Sequence, residues 1–102
     1  MYRSVFKPGL FEGQTVIVTG GGSGIGRCTA HEIAALGAHV VSTGRKRDKL
    51  TTVKSEIEAS GGSCEAHAFD IREEAQVKEA IAGIVAQNGR IHGLFNNAGG
   101  QF

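Results

Sequence analysis

The strongest constraint in this sequence is one junction. The β-branched run Thr15-Val16-Ile17-Val18-Thr19 passes directly into Gly20-Gly21-Gly22-Ser23-Gly24-Ile25-Gly26. Val, Ile and Thr are stiff at χ1 and favour a pleated strand, and this run lacks polar alternation, so it reads as a strand buried on both faces. The next seven residues carry almost no side chains, and then the apolar spacing becomes helical through Ile25, Thr29, Ile33 and Leu36. Strand, bare turn and helix in that order leave few folds open.

The rest of the chain repeats the alternation. Gly37 stands where a helix-ending glycine belongs, and His39 to Thr43 is a second β-branched strand. Leu50, Val53 and Ile57 mark a second helix, ended by Gly61-Gly62. Ser63 to Phe69 reads as a third strand, closed by Asp70. Val77, Ile81, Ile84 and Val85 form a third amphipathic helix, with Glu73 and Glu74 in its first turn, where acids favour the helix dipole. Ile91 to Phe95 is the fourth strand, leading into Asn96-Asn97-Ala98-Gly99-Gly100.

The order β-α-β-α-β-α-β with short connections calls for parallel strands and right-handed crossovers, with helices on both faces. The expected class is α/β: the first half of a Rossmann doubly wound sheet, strand order 3-2-1-4. Residues 1–13 form a lead segment in which Phe6, Leu10 and Phe11 are expected to pack down on a half-domain spanning 14–102. In such a sheet strand four is central. Ending there, it would be an exposed apolar edge, so the chain is expected to be part of something larger.

Composition excludes several classes. With 11 basic and 10 acidic residues the net charge is +1, too little to predict a nucleic-acid or membrane-surface partner. No apolar run approaches the roughly 18 residues of a membrane span, and no secretory h-region is visible. Cys28 and Cys64 are too few for a disulfide framework, and both are expected to be reduced and buried. Cys28 and His31 lie one helical turn apart, but no second pair accompanies them, so no metal is expected. A cytoplasmic location follows from the missing signals, with a peroxisomal one open to a eukaryotic protein.

The chemistry lies in the glycine turn. Bare backbone at a helix start offers free N–H groups and the positive dipole end to a pyrophosphate. Gly24 and Gly26 let the backbone approach phosphate and the helix pack on the strand, and Ser23 could add a hydroxyl donor. Gly20 and Ile25 belong to the same cofactor-facing turn. A P-loop does not fit, since no Gly-Lys-Ser/Thr follows.

The end of strand two selects the dinucleotide. An acid there would accept from the ribose hydroxyls of NAD and repel a 2′-phosphate. The chain has Ser42-Thr43-Gly44-Arg45-Lys46 instead, with no acid before Asp48. Arg45 offers a planar fork to phosphate and Lys46 a second positive charge. These cations could also be ordinary surface residues, but cations at a helix start oppose the dipole, and a nearby anion would explain them. NADP(H) is therefore favoured over NAD(H). Asp70 has two readings: a carboxylate accepting from the adenine amino group, with the Ile71 backbone beside it, or a helix N-cap in a capping box with Glu73. Spacing alone favours the cap.

Together these segments resemble the short-chain dehydrogenase/reductase family. Its Thr-Gly-x-x-x-Gly-x-Gly motif is matched by Thr19, Gly20, Gly24 and Gly26, its Asp after strand three by Asp70, and its Asn-Asn-Ala-Gly motif by Asn96 to Gly99. The resemblance returns Asp70 to adenine contact and implies that Asn97, Ala98 and Gly99 line the adenosine-ribose side. His92 stands where an Asp is frequent, and a structural role is expected for it. Pro8 to Gln14 and Asn96 to Phe102 further resemble the trans-2-enoyl-CoA reductase subgroup, of peroxisomal type and bacterial relatives. The resemblance implies NADPH-dependent reduction of an acyl-CoA double bond, or of a carbonyl, and a homo-oligomer when full-length. The family's catalytic Ser and Tyr-x-x-x-Lys have no match in this chain, so no catalytic residue is assigned, and the chain alone is expected to be inactive. Two other readings are a non-catalytic nucleotide-binding module and a truncated piece without activity.

Overall fold

Strand β1, Thr15–Thr19, has Val18 fully buried and Ile17 nearly so, as its unbroken apolar run requires. The computed structural model describes residues 6–22, 24–70 and 72–96. After β1 come α1 (Gly24–Ala35), β2 (His39–Gly44), α2 (Arg47–Ala59), β3 (Ser63–Ala68), α3 (Glu74–Asn88) and β4 (Gly93–Asn96). The four strands form one parallel sheet in the order β3-β2-β1-β4. This is the expected N-terminal half of the doubly wound sheet.

The core lies on the two faces of that sheet. On one face Val18, Val40 and Cys64 meet Ala30 and Ala34 of α1 and Val53 and Ile57 of α2. On the other, Ile17 and Val41 meet Ile84 of α3, with Ile91 packed against them. Leu50 of α2 is buried, and its methyl groups lie where Cβ atoms at Gly22 and Gly44 would meet them at 3.5 Å. It wedges between the glycine turn and the end of β2, so α2 packing also fixes the turn. Truncating such a side chain costs about 2–5 kcal/mol.

Several expectations need correcting. The buried face of α1 is Gly26, Ala30 and Ala34, while Ile25 is 69% exposed. Small residues let the helix axis approach the sheet, and Ile33 packs partly buried against the same cluster. Phe6 and Leu10 are exposed, whereas Phe11 is half-buried; the described part of the lead is tied on by the Phe11 N–H donating to the Leu36 carbonyl (2.9 Å). Cys28 is exposed, whereas Cys64 is buried, and that burial pushes its thiol up to about 11. In α3 only Ile84 is buried, and β4 leaves Leu94 63% exposed.

His92 has a definite structural task. Its backbone N–H donates to the Thr15 carbonyl (2.8 Å), and its Nδ1 accepts from the Thr15 N–H (3.0 Å). A residue just ahead of β4 thereby closes both backbone groups at the start of β1.

Candidate dinucleotide-binding site

Parallel strands bring their carboxyl ends to one edge, and every described site residue gathers there. Register pairs Thr19 with Thr43 and with Asn96, and Thr43 with His67. Connections leave β1 toward β2 on one side and reach β4 on the other, so the crevice between β1 and β4 is the switch point where such sheets bind ligands. Thr19 ties its two lips. Its hydroxyl lies 3.2 Å from Asn96 Oδ1 and 3.3 Å from the Phe95 carbonyl.

The glycine turn is held from beneath. The N–H groups of Gly20 (2.8 Å) and Gly21 (3.2 Å) both donate to the Thr43 carbonyl. Gly20 (φ +67°) and Gly24 (φ +57°) take the left-handed conformation that costs other residues. A Cβ on Gly24 would meet nothing within 4 Å, so the backbone is bare on its outer side at the helix start. Gly21 is the opposite case: a Cβ there would lie 2.1 Å from Ser42 Oγ and 3.3 Å from the Val18 carbonyl. Gly21 falls at a variable position of the motif, and the triple glycine is the one sequence signal of its packing. Ser42 and Thr43 are buried beneath the turn, and neither hydroxyl oxygen has a hydrogen-bond partner among the described residues.

Charge at this edge suits an anion. The first turn of α1 contains no acid. Arg45 and Lys46 are exposed and make no ion pair among the described residues, and Lys46 is the N-cap of α2 without a side-chain cap. Bare backbone at the start of α1, together with exposed cations after β2, suits an anionic group such as the pyrophosphate of a dinucleotide.

Asp70 follows β3 and is not a capping box. The N-cap of α3 is Glu73, without a side-chain cap; its N–H donates to the Asp70 carbonyl (3.0 Å). The Asp70 N–H is taken instead by Gln76 Oε1 (3.1 Å). The Asp70 carboxylate is engaged by Arg72: the backbone N–H at 2.9 Å, Nε at 3.1 and 3.2 Å, and Nη2 at 2.8 Å. Those bonds, aided by the charges of Arg72 and Arg45, hold its carboxyl down to about 2. Arg72 is not among the residues expected at this site, and the Asp-x-Arg spacing is its only signal in the sequence. Ser23, Ile71, Asn97, Ala98 and Gly99 lie outside the described residues.

Other features lie apart from this edge. A small pocket of about 170 Å³, lined by His31, Ala34, Ile57 and Gly61 among others, sits between α1 and α2. Glu56 joins the same helices, accepting from Arg27 and lying 3.0 Å from His31 Nε2. Among the described residues no group of three or more His, Cys, Asp or Glu could hold a metal ion, and no helix is long and apolar enough to cross a membrane.

Comparison with known proteins gives this geometry its family. A probable 2,4-dienoyl-CoA reductase of Bacillus subtilis (strain 168) is 38% identical over 91 residues, covering 89% of this chain and 36% of the relative. The peroxisomal 2,4-dienoyl-CoA reductase of Mus musculus is 35% identical over 102 residues, covering 99% and 35%. Among solved structures, the citronellol catabolism dehydrogenase (AtuB) of Pseudomonas aeruginosa PAO1 superposes with a TM-score of 0.94 at 64% identity, covering 98% of this chain and 42% of that one. A metagenomic short-chain oxidoreductase solved in complex with NADP superposes at 0.86 with 41% identity, covering 88% and 41%. The chain thus spans about a third of the length of these curated relatives. Residues 14–102 match the short chain dehydrogenase family, and the chain belongs to that family.

Proposed function

We propose that this chain is the cofactor-binding part of an NADP(H)-dependent oxidoreductase. The observation that carries this reading is Arg45, exposed just after β2 and without an ion pair among the described residues, where no acid stands to receive ribose hydroxyls. A bound nicotinamide supplies or accepts a hydride; the residues here bind and orient it. The backbone of Gly20, Ser23, Gly24, Ile25 and Gly26 would cradle the pyrophosphate. Arg45 and Lys46 would take the 2′-phosphate. Asp70 and Ile71 would meet the adenine, and Asn97, Ala98 and Gly99 the adenosine-ribose side. A neighbouring fold solved with NADP supports the cofactor class. None of these residues offers a general acid to the substrate, so the proton donor is assigned to the remainder of a full-length protein.

For the substrate we favour an α,β-unsaturated acyl-CoA, in line with the dienoyl-CoA reductases among its relatives. The 64% identity to the Pseudomonas dehydrogenase favours a second reading, a substrate belonging to citronellol catabolism. We take the full-length protein to be a homo-oligomer and cytoplasmic; the peroxisomal mouse relative keeps a peroxisomal site as the alternative. The test is purified full-length protein assayed for NADPH oxidation with trans-2-enoyl- and 2,4-dienoyl-CoA, and for NADP⁺ reduction with citronellol. Turnover of the thioesters supports the first reading, and turnover of citronellol alone the second. Tight NADPH binding with no turnover of any enoyl-CoA, carbonyl or alcohol would make the protein a binding module and defeat the enzyme assignment.

A further inference from the structure

We infer that Arg72 is a positioning residue for cofactor choice: it occupies the Asp70 carboxylate and so leaves the Arg45 guanidinium free for a 2′-phosphate. The inference rests on the NADP(H) reading above.

The geometry begins in the sheet. Register pairs Gly44 of β2 with Ala68 of β3, and the next link is the Phe69 N–H donating to the Gly44 carbonyl at 2.8 Å. The two strands therefore deliver Arg45 and Asp70 side by side at the carboxyl edge. An ionised carboxylate beside an unpaired guanidinium should pair with it, since a bidentate Arg–carboxylate fork is among the stronger side-chain contacts. That pairing would put a built-in acid in the place a 2′-phosphate must take. Yet Arg45 makes no ion pair among the described residues, and both Asp70 oxygens are already engaged by Arg72.

Arg72 can hold this claim because it binds twice. Its backbone N–H donates to Asp70 Oδ1, and its guanidinium engages both carboxylate oxygens. The guanidinium itself is largely exposed, so its removal should leave the core intact. With Arg72 gone, the cation that the register brings beside Asp70 at the neighbouring strand end is Arg45. The carboxylate would then compete with phosphate for the same fork. A cofactor without the 2′-phosphate would not feel that competition.

The test is a double-mutant cycle read as a ratio. Full-length wild type, Arg72→Gln, Asp70→Asn and the double variant are titrated with NADPH and with NADH at physiological salt, which screens the bare loss of one distant charge. Arg72→Gln should lower the NADPH-to-NADH affinity ratio by about fivefold or more, whereas in the Asp70→Asn background the same change should move it less than about twofold. Arg72→Lys should restore part of the ratio, because it returns charge without the fork. An equal fall in both backgrounds would mean that Arg72 touches the cofactor itself and would overturn the inference. A wild-type preference for NADPH that survives Arg72→Gln would overturn it too, leaving the NADP(H) reading standing. A wild type with no NADPH preference would remove that reading and this inference together.

Discussion

Replacing Gly21 by Ala tests whether the turn is set by close packing or only by the phosphate it would hold. A Cβ at Gly21 would lie 2.1 Å from Ser42 Oγ, 3.2 Å from Ser42 Cβ and 3.3 Å from the Val18 carbonyl. Non-bonded heavy atoms rest at about 3.5–4.0 Å, so the overlap with the hydroxyl exceeds an ångström. Ser42 is fully buried, and β2 is clamped between β1 and β3, so the strand cannot retreat. Rotating the hydroxyl relieves the worst contact but leaves the other two. Overpacking of this kind costs about 1–3 kcal/mol. The Ser42 hydroxyl has no partner among the described residues, so Ser42→Ala alone should be near neutral or slightly stabilising. In the Gly21→Ala background it should recover about half the loss, because it deletes the 2.1 Å contact and keeps those at 3.2 and 3.3 Å. Urea unfolding of the four full-length proteins measures the cycle. A Gly21→Ala variant as stable as wild type, or additive effects with no recovery, would refute this account of the turn.

Burial pushes the Glu65 carboxyl up, but hydrogen bonds from His67 (2.6 Å), His39 (2.7 Å) and Asn88 (2.9 Å) outweigh it and leave it below its ordinary 4.5. A depressed folded value contributes stability above 4.5 that is lost as pH falls through the folded value. The Tm of Glu65→Gln should therefore fall less steeply than wild type below pH 4.5, and parallel curves would contradict the role. For His92, Ala substitution strands the Thr15 N–H and should cost about 1–2 kcal/mol, while Asn, which can accept, should recover much of it. Equal losses in Ala and Asn variants, measured by denaturation, would show that the ring and not the acceptor matters.

The fold was legible because its signals agree. β-branched runs, helical spacing and glycine punctuation alternate, and right-handed crossovers then leave strand order 3-2-1-4. The edge gathering the glycine turn, Arg45, Asp70 and Asn96 follows from parallel strands alone. What escaped was set by packing at close range. Hydrophobic spacing pointed to Ile25 and Ile33; Ile33 does pack against the core cluster, but Ile25 is exposed, and the sheet accepts α1 chiefly through Gly26, Ala30 and Ala34, whose burial depends on axis distance and not on hydrophobicity. The Asp70–Glu73 spacing suited a capping box, yet the arginine between them captured the carboxylate first. Exposure of Cys28 and the wedge of Leu50 depend on helix rotation, which a period-3.6 pattern locates only coarsely.

The central claim is that Arg45 reads a 2′-phosphate, and titration of full-length wild type and Arg45→Asp with NADPH and NADH tests it most directly. Charge-assisted bonds of about 1.5–3 kcal/mol predict that wild type binds NADPH about ten- to a hundredfold more tightly than NADH. Arg45→Asp should lose that advantage and turn toward NADH. Equal NADPH affinity in wild type and Arg45→Asp would contradict the assignment.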